Sequence, residues 1–123
     1  MSYKDLEIWK LSNEIIVEIH HMTISELPKF EMFETGGQIR RSSKPVKSNI
    51  VEGYGRRQYK KEFLHFLNIA LASNIETIDH LETLQLTGSL TNLRRYEGLH
   101  EKLTVLGKKL RMFIRSVQQQ HRT

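Results

Sequence analysis

Two Glu-x-x-His tetrads, Glu62-Phe63-Leu64-His65 and Glu97-Gly98-Leu99-His100, carry the residue types of this chain that are best suited to chemistry. On a helix this spacing sets a carboxylate and an imidazole on one face. Helical bundles build di-metal centres from two such pairs and a glutamate from each of two further helices. The placement of the tetrads argues against a shared centre. With their helices antiparallel around a turn near residue 89, the residue level with Glu97 lies near position 81, far from 62. The two glutamates are then on the order of 30 Å apart along the bundle. Both pairs read as polar helix surface, and a metal-dependent bundle enzyme ranks last among the functional classes.

Other catalytic patterns fail on spacing too. His20 and His21 are adjacent and leave a helix in different directions. Ser42-Ser43 has no base at triad spacing. Gly53-Tyr54-Gly55 before Arg56-Arg57 lacks the preceding strand and the Gly-Lys-Ser/Thr ending of a phosphate loop, and reads as a helix stop. The absence of cysteine excludes a thiolate zinc site, a Cys nucleophile and a disulfide scaffold, and fits a reducing cytoplasm. Glu76 and Asp79, three apart on one helix face, are expected to bridge to a basic residue of a neighbouring helix, because unpaired buried acids are costly. No catalytic residue, metal ligand or cofactor is expected.

A binding chemistry is better supported. The segment RRSSKPVKSNIVEGYGRRQYKK, residues 40–61, holds eight of the nineteen Lys and Arg residues and one acid, Glu52. The stretch from Arg40 to Glu62 sums to +6 in a chain whose net charge is +5, so the remainder is slightly acidic. Arg40, Lys44 and Lys47 share a helical face, with Arg41 beside them. Arg56, Arg57, Lys60 and Lys61 continue the charge through a turn, and the interleaved Tyr54 and Tyr59 can stack on bases. This is the footprint of a surface for the phosphates of RNA or DNA. A solvated helix face is the bland alternative. The functional alternative is an interaction scaffold that presents the basic patch to an acidic protein partner such as a polymerase.

The elements that hold these residues read as helices. The 123 residues suffice for one domain with its own core. Two prolines and seven glycines leave room for long helices, predicted over 4–23, 30–54, 59–87 and 91–118. Ser2 and Asp5 have capping-box spacing before the first helix, which stops ahead of Pro28. In the second, Phe30, Phe33, Ile39, Val46 and Ile50 can point inward. Gly36-Gly37 weakens it, Pro45 should bend it, and Gly53 or Gly55 should end it in a left-handed conformation. The third helix contains FLHFLNIALA, apolar at eight of ten positions, so it is central in its bundle or buried against another subunit. After Thr87-Gly88-Ser89, capped by Ser89 or Thr91, the fourth carries Tyr96, Leu99, Leu103, Leu106, Leu110, Phe113 and Val117, a heptad seam. The polar tail from Gln118 is expected to fray. The fold expected is an all-α, antiparallel, up-down-up-down four-helix bundle. No signal peptide or membrane span is visible, and a cytoplasmic location is expected.

Four stretches, YKDLEIWK, QIRR at 38–41, SNIVEGYGRR at 48–57 and EFLHFLNIALAS at 62–73, resemble the bacterial four-helix-bundle proteins encoded in intervening sequences of 23S ribosomal RNA genes. The resemblance covers nearly the whole chain and keeps the motif order. It implies a homopentameric bundle without enzymatic activity. It also implies a distant relationship to the accessory variability determinant of diversity-generating retroelements, which looks like a basic pentamer that binds nucleic acid and a reverse transcriptase. By position, Arg40, Arg41 and Arg56 match the family's basic residues, and Asn49, Glu52 and Gly53 match a stretch with a structural role. Gly37, the run Ser42-Ser43-Lys44-Pro45 and Gln58-Tyr59 depart from the pattern, which affects the second helix and the start of the third.

Overall fold

Apolar residues stepping by three and four along the last third of the chain build the helix that they predict. In the computed structural model, which describes residues 2–120, four helices follow one another: α1 Glu7–Ser25, α2 Thr35–Gly55, α3 Lys60–Leu86 and α4 Leu93–Gln120. Of the predicted seam on α4, Leu99, Leu103, Leu106, Leu110 and Val117 are buried, and Tyr96 and Phe113 half-buried. Residues 121–123, part of the tail expected to fray, lie outside the described residues.

Cross-helix pairs give the direction of each neighbour. Ser42 of α2 shares a 2.9 Å hydrogen bond with Thr77 of α3, while Gly53, further along α2, packs against Phe66, earlier on α3. Asn74 of α3 donates to the Leu103 carbonyl of α4 at 2.9 Å, and Phe63 meets Phe113 edge to face at 5.9 Å. On α1 and α4, Glu7 reaches Lys109 whereas Glu26 reaches Arg95. Rising numbers on one helix meet falling numbers on its neighbour throughout. α1 packs on α2 and α4, and α3 closes the ring, which gives an antiparallel four-helix bundle. Its core is aliphatic, with Ile15, Ile19, Ile39, Ile50, Leu67 and Leu81 among the fully buried side chains.

The segment leading into α2 departs most from expectation. Residues Lys29–Phe33 form a 3₁₀ turn, and α2 starts only at Thr35. Ile39, Val46 and Ile50 are buried as predicted, but Phe30 and Phe33 point outward, 63% and 89% exposed. Glu31 takes the inward position instead. Its buried carboxylate accepts the Gly36 N–H at 3.1 Å and the Ser89 hydroxyl, so one side chain ties this turn to the start of α2 and to the α3–α4 link. Gly36 and Gly37 make the approach possible. A Cβ at Gly36 would lie 2.5 Å from the Glu31 carbonyl oxygen, and one at Gly37 would lie 2.8 Å from that of Met32.

Several termini are also made differently. The Ser2–Asp5 box forms, on a 3₁₀ turn ahead of α1. α2 stays helical through Pro45, whose carbonyl accepts the Asn49 amide at 2.8 Å, and stops at Gly55. That stop uses no left-handed glycine. Gly88 alone among the described residues has positive φ, at 78°, and lets the Leu90 N–H reach back to the Leu84 carbonyl. Gly53 is required for space, since a Cβ there would sit 3.1 Å from that of Phe66. Tyr59 supplies no side-chain cap to α3, and Asn92, in place of Ser89 or Thr91, caps α4 by accepting the Arg95 N–H at 3.1 Å.

Two glycine substitutions should separate close packing from helix propensity. Gly36→Ala should destabilise the protein by about 1–3 kcal/mol, because backbone must yield. Gly98→Ala, whose Cβ would meet nothing within 4 Å, should stabilise it by about 0.5–1 kcal/mol. Urea unfolding of the two variants checks both signs.

Candidate nucleic-acid interface

Cations on α4 that turn towards α1 are matched by carboxylates. Lys109 pairs with Glu7 at 3.0 Å, and Lys102 with Glu14 at 2.9 Å and Glu18 at 2.7 Å. Arg95 contacts Glu18 and Glu26, both at 2.9 Å. Burial pushes the Glu18 carboxyl up, but its hydrogen bonds and charge attraction to Lys102 and Arg95 outweigh this and hold it below the ordinary carboxylate value. The same contacts raise Lys102 and Arg95. Sequence reasoning missed this ladder. Its signal was the seven-residue spacing of Arg95, Lys102 and Lys109 and of Glu7 and Glu14.

The eight residues predicted from the basic segment fall into two groups. Some are engaged locally. Arg40 donates through Nη2 to the Met32 carbonyl at 2.8 Å and has its other amine buried without a partner. Lys47 donates to Asn13 at 2.9 Å and lies 5.8 Å from the Trp9 ring. Arg56 is held at 2.8 Å by each of Glu52 and Glu62, which raise its pKa. Others project outward. Arg41, Lys44 and Lys61 are exposed and form no ion pair among the described residues. Exposed Arg57 stacks its guanidinium 4.3 Å from the Tyr54 ring centre and donates to the Tyr54 carbonyl, with no carboxylate among its partners. Lys60 opens α3 beside them.

Position along the bundle adds a second asymmetry. The antiparallel order gathers residues 2–14, 46–70 and 104–120 at the end that holds the α2–α3 turn. Those stretches contain eleven Lys and Arg against five Asp and Glu, while 15–45 and 71–103 contain seven against nine. The bundle is therefore basic at one end and slightly acidic at the other. Such a field draws polyanions to one end of the molecule.

The acidic and histidine residues are distributed without a metal centre among the described residues. Glu62 is paired with Arg56, and His100 of the second tetrad faces Glu82 across α3 and α4 at 2.9 Å. The bridge expected from Glu76 or Asp79 to a neighbouring helix does not form. Glu76 faces His80 of its own helix at 3.2 Å, and Asp79 is exposed. Both acids lie on the solvent side of α3, so no burial cost demands a cross-helix partner. Asn49 and Gly53 serve α2 and its contact with α3, which is a structural role. No helix among the described residues is long and apolar enough to cross a membrane.

The family model described as 23S rRNA-intervening sequence protein matches residues 4–112. No curated protein matches the chain. Among solved structures, a protein of unknown function from the S23 ribosomal protein family of Bacteroides thetaiotaomicron VPI-5482 is 30% identical. The alignment covers 88% of this chain and 95% of that one, with a TM-score of 0.78.

The α1–α4 ladder gives a pH dependence. The folded pKa of Glu18 lies below its ordinary 4.5, so its ionised form stabilises the fold above that pH and loses this contribution as the pH falls through the lower folded value. Urea unfolding at pH 7 should show Glu18→Gln less stable than wild type by about 1 kcal/mol. The gap should close in acid below 4.5. A gap independent of pH would contradict the assignment.

Proposed function

The chain belongs to the 23S rRNA-intervening sequence protein family, and we propose that it acts as a non-enzymatic, oligomeric bundle that binds RNA or DNA through backbone phosphates along its basic edge. One observation carries the reading. Arg95, Lys102 and Lys109 are neutralised by carboxylates on and just after α1, whereas Arg41, Lys44, Arg57 and Lys61 are exposed on α2, α3 and the turn between them without a carboxylate among the described residues. Cations already paired inside a protein gain little from a phosphate, while unpaired ones release counterions when they meet it. Arg56 is an intermediate case, exposed but shared between two glutamates. The proposed site of action is the cytoplasm, in keeping with a chain that has no cysteine.

The proposed assembly is a homopentamer. It draws on the apolar residues at the end opposite the α2–α3 turn. Ile24, Phe30, Met32, Phe33, Leu86 and Leu93 are all exposed there, Leu86 at 80% and Phe33 at 89%. Exposed apolar clusters of this kind mark surfaces that associate. A ring of subunits would repeat the basic edge, and the repeated weak phosphate contacts would reinforce one another.

Fluorescence anisotropy with unrelated RNA and DNA sequences tests the binding. Affinity should fall steeply with salt, with a log–log slope of about −0.7 to −0.9 per phosphate neutralised. The combined substitutions Arg41→Ala, Lys44→Ala, Arg57→Ala and Lys61→Ala should weaken all sequences alike and flatten the slope. Glu52→Gln with Glu62→Gln should tighten binding, because it releases Arg56. No binding of any nucleic acid at about 50 mM salt would defeat the proposal. Light scattering tests the assembly: wild type should be oligomeric, and Phe33→Glu with Leu86→Glu should be monomeric.

A further inference from the structure

A cavity of about 670 Å³ opens at the basic end of the bundle, where the α2–α3 turn meets the last turns of α4. Its volume lies within the range of small-ligand sites. Three kinds of group line it. Leu6, Tyr54, Phe63 and Phe113 give an apolar wall, in which the two phenylalanine rings meet edge to face at 5.9 Å. The neutral polar side chains of Gln58, Ser116 and Gln120 stand beside that wall. Arg57 completes the lining, and among the described residues no carboxylate does.

This combination selects a ligand class. An aromatic heterocycle needs apolar surface for its faces and uncharged donors and acceptors for its edge, which the wall and the amides supply. Arg57 adds a cation that is already oriented, because its guanidinium is stacked on Tyr54 and tied to the Tyr54 carbonyl at 2.9 Å. A guanidinium has five N–H donors, so donors remain for a phosphate. We propose that the cavity takes one unpaired nucleobase of a single-stranded RNA or DNA, with Arg57 on the adjoining phosphate. This rests on the nucleic-acid reading above and narrows it. A base within a duplex is paired and stacked, and could enter only after extrusion from the helix, which costs a few kcal/mol. The protein should therefore favour single strands.

The test compares three probes on the full-length protein at low salt: a single strand of about ten nucleotides containing 2-aminopurine, an abasic strand of the same length and charge, and the duplex of the first strand, which carries twice the phosphates and reports phosphate binding without a free base. The 2-aminopurine emission should change when the single strand binds. The abasic strand should bind about tenfold more weakly, the loss expected for one stacked base. The exposed Gln58→Ala should remove most of that difference and leave duplex binding unchanged, whereas Tyr54→Leu, which also unseats Arg57, should remove the difference and weaken all three probes; circular dichroism confirms that each variant is folded. Equal affinity for single and abasic strands with unchanged emission would overturn the cavity assignment and leave phosphate binding intact. Failure of all three probes to bind would overturn both readings.

Discussion

The pairing of α1 carboxylates with α4 cations is the constraint from which the surface of this molecule follows. Exposed ion pairs contribute little stability, of the order of a few tenths to 1 kcal/mol each. The ladder therefore matters less for how firmly the bundle folds than for where its charge is left. Glu18 alone neutralises parts of two cations, Lys102 and Arg95, 84 and 77 residues distant in sequence. With these cations turned to α1, the exposed cations left without a carboxylate among the described residues include Arg41 and Lys44 on α2, Arg57 and Lys61 about the α2–α3 turn, and Lys108, Arg111 and Arg115 on the outer face of α4. The same pairs fix the antiparallel register of the first and last helices, so fold and field have one origin.

The composition of α2 is unusual for a helix, with glycine at four positions and an internal proline. Its small residues are used for contact. Gly36 and Gly37 admit the backbone of the preceding turn, Gly53 admits Phe66, and buried Ser42 reaches Thr77. Each trades intrinsic propensity, about 1 kcal/mol per glycine, for a close approach that larger side chains would block. The helix survives because its packed face is held by neighbours on both sides. That leaves its outer face free to carry Arg41 and Lys44, neither of which has any part in the core.

What could be read from the sequence follows this division. The α4 seam was legible because its periodicity is local and every step is apolar. The bundle was legible for the same reason, and the family from four short stretches that keep their order along the chain. Phe30 and Phe33 were misread, since nothing local shows that Glu31 outcompetes them for the interior; its partners are the Gly36 amide and a serine fifty-eight residues away. The role of Gly88 against that of Gly53 turns on backbone φ, which sequence does not give. Among the cations, Arg40 and Lys47 looked equivalent to Lys44. Only the three-dimensional neighbours, the Met32 carbonyl and Asn13, divide them. The cavity beside Tyr54 was invisible because its walls come from three distant stretches of chain, at Leu6, Tyr54 to Phe63 and Phe113 to Gln120.

Protection of individual lysines from chemical modification measures the division of charge most directly. Reductive methylation with and without a bound RNA strand, read residue by residue by mass spectrometry, should show Lys44 and Lys61 shielded by the RNA and Lys102 and Lys109 unaffected. Shielding of Lys102 and Lys109, with Lys44 and Lys61 still fully reactive, would place the polyanion on the neutralised side of the bundle and contradict the account.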